Sequence, residues 1–229
     1  MLVAVIDDGI LPEMFSAGPL RYDMHVARFG RVRTRRPKER ILTTHGTTVA
    51  GIIRKYAPDV ELCSVRVFSG GIMKTTCGKL AAAMRWCLKM NIPLINLSLG
   101  TVEPKDFRKI RRITERLLRN GQVIVAACNK NGRYTMPAMY PGVLGVQTDA
   151  ALSENQYRRA EGIDGVDYIA SSIHTLTLCT GTDFQTPLSN SYAAPTVTAA
   201  VASGRIQAGG CTLRTDSQQL YRQKEKRRL

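Results

Sequence analysis

The first apolar run, Leu2-Val3-Ala4-Val5-Ile6, is unbroken and stops at Asp7-Asp8-Gly9, the pattern of a buried parallel strand ending in a turn. Residues 11–40 show no clear period, carry Pro12, Pro19 and Pro37 among many arginines, and read as a long irregular connection. A small-residue helix is predicted over 46–56, with Thr44 or a neighbour as its cap. Val49, Ile52 and Ile53 form its apolar face and Pro58 stops it. Residues 60–68 predict a second strand, closed by Gly70-Gly71, and Leu80, Ala83, Met84, Cys87 and Leu88 recur at helical spacing over 79–90. Leu94 to Gly100 is a third strand. Phe107, Ile110, Ile113, Leu117 and Leu118 line one side of a further helix whose other side is nearly all basic, and Gly121 ends it before a fourth strand over 123–127. Residues 143–146 and 168–170 are weaker strand candidates, and Ser191 to Ser203 is a helix rich in Ala and Val.

Strands alternating with helices predict an α/β fold, a mainly parallel sheet with helices on both faces. In such sheets sites form at the carboxyl ends of strands, which is where Asp7, Ser98 to Gly100 and Asn129 fall. With 229 residues, 44% of them hydrophobic, the chain suits one domain over 1–204 followed by a basic tail over 205–229. No run approaches the roughly 18 apolar residues of a membrane span. The opening strand is too short and too quickly charged for a signal peptide, so the expectation is either cytoplasmic action, the preferred reading, or leading segments removed ahead of residue 1. Cysteines at 63, 77, 87, 128, 179 and 211 form no CxxC pair or metal-ligand spacing, and reduced, largely buried thiols are expected.

The net charge of +15 is concentrated at Arg28 to Arg40, Lys105 to Arg119 and Arg214 to Arg228. It predicts salt-sensitive attraction to polyanions or acidic peptides. Nucleic acid is disfavoured as the partner, because no aromatic interleaving, zinc-finger spacing or helix-turn-helix pattern accompanies the charge.

His45 would sit on the first turn of its helix among small residues, and imidazole can take and return a proton near neutrality. A serine hydroxyl is a poor nucleophile unless a base is in reach, a third group orients that base and donors meet the developing oxyanion. Ser191 offers the nucleophile, His45 the base, Asp7 the orienting carboxylate and Asn129 an amide for the oxyanion. Taken alone, Asp7-Asp8 would also suit a Mg²⁺ or phosphoacceptor site, but that reading leaves His45, Asn129 and Ser191 without work. Asn96 and Asn129 could each simply satisfy backbone groups. His25 and His174 have no supporting pattern and are read as structural.

Val3-Ala4-Val5-Ile6-Asp7-Asp8-Gly9-Ile10 resembles the aspartate motif of the subtilisin-like serine proteases, His45-Gly46-Thr47-Thr48-Val49-Ala50-Gly51 their HGTHVAG motif, and Ser189-Asn190-Ser191-Tyr192-Ala193-Ala194-Pro195 their GTSMAAP motif. Leu94 to Gly100 and Val123 to Gly132 resemble the family's substrate-binding strand and its AAGN oxyanion segment, so the resemblance spans about residues 2 to 203 in the family's Asp, His, Ser order. It implies a subtilisin-like three-layer fold and a serine endopeptidase in which Ser191 attacks the peptide carbonyl, His45 carries the proton and Asp7 holds His45. Asn129 and the Ser191 N–H would stabilise the oxyanion. Ser98, Leu99 and Gly100 would pair with the substrate as an added strand. Ala126, Ala127 and Cys128, which lead into the oxyanion segment, would also bind the substrate, and Thr135 to Pro137 would line the pocket floor.

The chain departs from the family pattern at several places. Asp8 stands for the usual Ser or Thr, which leaves a choice between two acids to orient His45, with Asp7 preferred because it directly follows the apolar strand; Thr48 stands for a second histidine, Cys128 for the glycine before the oxyanion Asn, and Ser189-Asn190 for Gly-Thr. Cys128 is expected to crowd or reshape the specificity pocket. The family's calcium loop is missing between the histidine helix and the next strand, so neither metal nor cofactor is expected. The resemblance implies a peptide or protein substrate. The basic surface suits an acidic one, such as the leader of a ribosomally made peptide, and the short C-terminal portion leaves room for a protein partner or a second copy. The alternative is an inactive binding protein on the same scaffold, using its basic surface.

Overall fold

The computed structural model describes residues 1–15, 18–68 and 74–207; Gly70-Gly71, Cys211 and all but the first three residues of the basic tail lie outside the described residues. In chain order the elements are β1 (Leu2–Asp7), β2 (Leu20–Val26), a short 3-10 turn (Arg28–Gly30), β3 (Val32–Thr34), α1 (His45–Tyr56), β4 (Glu61–Arg66), α2 (Cys77–Lys89) and β5 (Leu94–Leu97). They continue with α3 (Pro104–Arg119), β6 (Val123–Ala127), β7 (Leu144–Thr148), β8 (Tyr157–Arg159), β9 (Tyr168–Ala170), β10 (Thr175–Thr177), β11 (Asp183–Gln185) and α4 (Asn190–Ala202). Nine strands form one sheet in the order β3-β2-β4-β1-β5-β6-β7-β9-β8, and β10 and β11 form a separate antiparallel pair. The seven inner strands pair in parallel, while β3 and β8 run antiparallel at the two edges.

The expected three layers follow from strands that are apolar on both faces. In β1, Ala4 and Ile6 face a core shared with Leu80 and Met84 of α2 and Ile110, Ile113 and Leu117 of α3. Val3 and Val5 face the opposite core, built on Val49 and Ile53 of α1 and on Ala193, Ala194, Val197 and Ala200 of α4. α1 and α4 therefore share one face of the sheet. Among the described residues no helix is long and apolar enough to cross a membrane.

The segment expected to be irregular, 11–40, instead contributes β2 and β3. Its period was hidden because the register shifts between Leu20 and Tyr22, which puts Leu20 on the α1–α4 side and Tyr22 and Met24 on the α2 side. Two of the arginines there are paired with carboxylates, Arg33 with Glu39 and Arg35 with Asp23, each at 2.6 Å. The three-residue strands β8, β10 and β11 were also missed, being too short to show alternation. Cys63, Cys87 and Cys128 are buried thiols as expected, whereas Cys179 is exposed.

The start of α1 is held from a distance. Thr44 occupies the N-cap position but makes no side-chain cap bond. Asp8, just beyond the end of β1, does that work: its carboxylate accepts from the Gly46 N–H at 2.7 Å, from the His45 N–H at 3.3 Å and from the Thr43 hydroxyl. Gly46 is required at this junction, since a Cβ there would lie 2.6 Å from the Gly9 carbonyl oxygen and 2.7 Å from Asp8 Oδ1. Asp8→Ala is expected to destabilise the protein by about 2 kcal/mol, as the loss of a cap with buried donors does, and Asp8→Asn by less. Urea denaturation measures this, and an unchanged midpoint for Asp8→Ala would contradict the assignment.

Candidate active site

β1 and α1 meet so that His45, the first residue of the helix, lies over the carboxylate that closes the strand. Asp7 is 1% exposed, and His45 Nδ1 is 2.9 Å from each of its carboxylate oxygens. A carboxylate can only accept, so the proton resides on Nδ1 and Nε2 keeps the lone pair. Asp7 Oδ1 also accepts from the Asp8 N–H at 2.9 Å, which fixes the carboxylate as well as the ring. The choice between the two acids is thus resolved by geometry: Asp7 orients the imidazole and Asp8 caps the helix that carries it.

The charges around His45 tune it. Burial alone would push its pKa down, but the Asp7 charge, the Asp7 hydrogen bond and the Asp8 charge together hold it above the ordinary 6.5. Asp8 is in turn raised by burial and by the neighbouring Asp7, against the opposing hydrogen bonds from Thr43 and Gly46.

α4 supplies Ser191 from its first turn, and the ring of the next residue, Tyr192, lies 5.1 Å centroid to centroid from that of His45. Ser191 Oγ donates to the Ser98 carbonyl at 3.4 Å, and Ser98 Oγ donates to the Ser191 carbonyl at 3.2 Å. The serine turn is therefore laid directly against the segment that leaves β5. Deeper in the same helix, the Thr198 hydroxyl donates to Asn96 Oδ1 at 2.8 Å, and Asn96 Nδ2 reaches Ser98 Oγ at 3.3 Å. Asn96 is fully buried and works as a strut between β5 and α4.

The residues that replace Gly-Thr ahead of Ser191 have visible jobs. Ser189 is the N-cap of α4, its Oγ accepting from the Ser191 N–H at 3.3 Å, and its own N–H donates to Ser172 Oγ at 3.1 Å. Asn190 accepts from the Thr148 N–H at 2.8 Å and donates to the Cys128 carbonyl at 2.9 Å. It thereby ties the serine turn to the ends of β6 and β7. Sequence reasoning noted these two residues only as departures; a Ser heading an Ala-rich helix is a cap signal that could have been used.

The remaining predicted site residues lie in or just past β5 and β6, and around Thr135. Asn129 is half-buried just past β6; its Oδ1 accepts from the Asn131 N–H at 2.9 Å, and among the described residues none accepts from Nδ2. Thr135 and Gly100 come together, since Thr101 and Met136 exchange backbone hydrogen bonds at 2.8 and 2.9 Å, and a Cβ on Gly100 would fall 2.6 Å from the Met136 carbonyl oxygen. Leu99 packs on the α2–α3 core beside them. Ala126 and Ala127 are buried in β6 behind the site.

Cys128 is in the core, its Sγ donating to the Gly165 carbonyl at 3.6 Å, and burial pushes its pKa up to about 12. Its carbonyl, rather than its thiol, meets the site. Thr48, where the family has a second histidine, is buried and donates to the Thr44 carbonyl at 2.9 Å. His174 is also buried, hydrogen-bonded to the Tyr56 hydroxyl at 2.9 Å and to the Tyr192 carbonyl at 3.1 Å, which supports α4 from behind. Among the described residues no three His, Cys, Asp or Glu side chains gather as a metal site would require.

Two proteases match this chain in sequence. The Subtilisin-like protease het-Q2 of Podospora anserina is 32% identical over 106 residues, covering 44% of this chain and 29% of that protein. The Thermostable alkaline protease of Halalkalibacterium halodurans is 26% identical over 217 residues, covering 87% of this chain and 55% of that protein. The chain thus spans little more than half, at most, of the length of these relatives. Among solved structures, the epidermin leader peptide processing serine protease of Staphylococcus aureus superposes with a TM-score of 0.68 at 17% identity, over 88% of this chain and 64% of that one. The model of the subtilase family matches residues 1–207, and with the strand order, the Asp7–His45 pair and the serine turn in place the chain belongs to the subtilase family.

Proposed function

We propose that this chain is a serine endopeptidase in which Asp7, His45 and Ser191 act as one unit on an extended peptide. The observation that carries the reading is the buried Asp7 carboxylate at 2.9 Å from His45 Nδ1, which leaves Nε2 as the free base of a ring that lies 5.1 Å from that of Tyr192, the neighbour of Ser191. In this mechanism Ser191 Oγ exchanges its 3.4 Å bond to the Ser98 carbonyl for one to His45 Nε2. The imidazole takes the hydroxyl proton as Oγ attacks the carbonyl, then delivers it to the leaving amine, and water repeats the cycle on the acyl-enzyme.

Asn129 Nδ2 and the Ser191 N–H are the donors for the oxyanion, which makes the long 3.3 Å bond from the Ser191 N–H to Ser189 Oγ the one the oxyanion must displace. Ser98 to Gly100 offer the substrate backbone an edge to pair with, beside Thr135. The neighbour named as a leader peptide processing protease, together with the charge of +15, supports a peptide substrate with an acidic segment.

One specific feature favours the rival reading of an inactive binding protein: both the Oγ and the N–H of Ser191 are engaged within the protein, by Ser98 and Ser189. A fluorophosphonate probe separates the two. Labelling of the wild type that vanishes in Ser191→Ala, with peptide turnover falling by about 10⁶-fold, is the expected result. No labelling of folded wild-type protein would favour the binder.

The pH dependence is also fixed in sign. The base must be neutral, and the net effect of Asp7 and Asp8 is to raise the His45 pKa, so kcat/KM should fall about tenfold per unit on the acid side. Its midpoint should lie above 6.5 and move down in Asp8→Asn. An acid limb centred at or below 6.5 in the wild type would contradict this electrostatic account.

A further inference from the structure

A groove of about 400 Å³ runs between α2 and α3, on the opposite face of the sheet from α1 and α4. Its apolar member is the buried Ile113. Every other lining residue is a cation: Arg85 from α2, and Lys105, Arg108, Lys109, Arg112 and Arg116 from α3. All six cations are exposed, and among the described residues none forms an ion pair with a carboxylate. The one glutamate of α3 is turned elsewhere, accepting from the Tyr140 hydroxyl at 2.9 Å and facing Arg111 and Arg119.

The arrangement works against the helix that carries it. Lys105 and Lys109, Arg108 and Arg112, and Arg112 and Arg116 are like charges one turn apart, which destabilise a helix. Lys109 Nζ also reaches the first turn of α2 beside Gly78, the end where the helix dipole is already positive. Apart from Arg116, whose place in the last turn suits the helix dipole, the stripe sets like charges against one another, whereas an anionic occupant of the groove would be met by six cations at once.

We propose that the α2–α3 groove is a docking site for an acidic segment of the peptide substrate, remote from the bond that is cut. The inference rests on the endopeptidase reading and names what that enzyme would recognise. Continuity supports it: α3 begins at Pro104, three residues after Thr101, so the substrate edge at Ser98 to Gly100 leads into the Lys105 end of the stripe. From Lys105 to Arg116 the stripe is about 17 Å long, the reach of about five extended residues. A peptide fits better than a nucleic acid, because Ile113 offers an apolar contact and no lining residue is an aromatic on which a base could stack.

The test uses one cleavable core peptide with an N-terminal tail of five Glu or five Gln residues. Wild-type protein in low salt is expected to cleave the Glu-tailed peptide with at least a tenfold lower KM, and the advantage should shrink as salt rises. In the triple variant Arg108→Glu/Arg112→Glu/Arg116→Glu the advantage should vanish, while kcat/KM for the untailed core stays as in the wild type and reports an intact active site. The triple Gln variant, which removes charge without adding any, should lose most of the advantage too and serves if the Glu variant does not fold. Equal cleavage of the two tails, or an advantage that survives both variants, overturns the proposal.

If no peptide is cleaved, the endopeptidase reading has failed and binding decides the docking site separately. Fluorescein-labelled Glu-tailed peptide should bind full-length Ser191→Ala protein and lose at least tenfold in affinity when the three arginines are also replaced. Absent binding, or tighter binding of a single-stranded oligonucleotide of equal charge through the same arginines, rules out the acidic peptide as occupant.

Discussion

The structure depends on a buried carboxylate held at 2.9 Å from an imidazole. An ionised acid in an interior is costly unless it is fully hydrogen-bonded, and Asp7 meets that demand with the His45 ring and the Asp8 N–H. Satisfying it dictates the local architecture: β1 must end where α1 begins, and the junction must hold a glycine, Gly46, because there is no room for a side chain. The adjacent acid then serves the helix backbone. Two neighbouring carboxylates of the same type so acquire different tasks, and their combined charge raises the basicity of the ring between strand and helix.

The second half of the site is positioned by struts that cross the sheet. Beyond its first turn α4 meets the sheet mainly through small Ala and Val side chains, so their packing leaves its position along the strands weakly specified. Asn96–Thr198, Asn190 with the ends of β6 and β7, and His174 on the Tyr192 carbonyl supply that specification through directional bonds. The family's Gly-Thr ahead of the serine is replaced by a cap and a clamp. The same exchange occupies the Ser191 N–H with the Ser189 hydroxyl, so rigidity of the turn and availability of an oxyanion donor are set against each other.

What could be read from the sequence was what is local. β1, α1, α2, β5, α3, β6 and α4 each carry their own period and punctuation, and the motifs around Asp7, His45 and Ser191 sit at element ends where they can be recognised. What could not be read was non-local. Asp8 caps a helix 38 positions further on, and Asn190 bonds to residues 62 and 42 positions back. β2 was concealed by a register shift and by arginines whose partners, Glu39 and Asp23, are apparent only once the strands pair. Cys128 was expected to reshape a pocket because the family pattern has glycine there, yet the direction of its side chain is set by packing against Gly145 and Gly165.

The central claim is that Asp7, His45 and Ser191 act as a single catalytic unit, and non-additivity tests that most directly. Peptide turnover is measured in Asp7→Ala, in Ser191→Ala and in the double variant under one set of conditions. If the residues act together, the double variant keeps the same residual rate as Ser191→Ala alone, because the acid has no further task once the nucleophile is gone. Losses that multiply, with the double variant slower than Ser191→Ala by the full factor of Asp7→Ala, would mean that the carboxylate acts independently of the serine and would contradict the account.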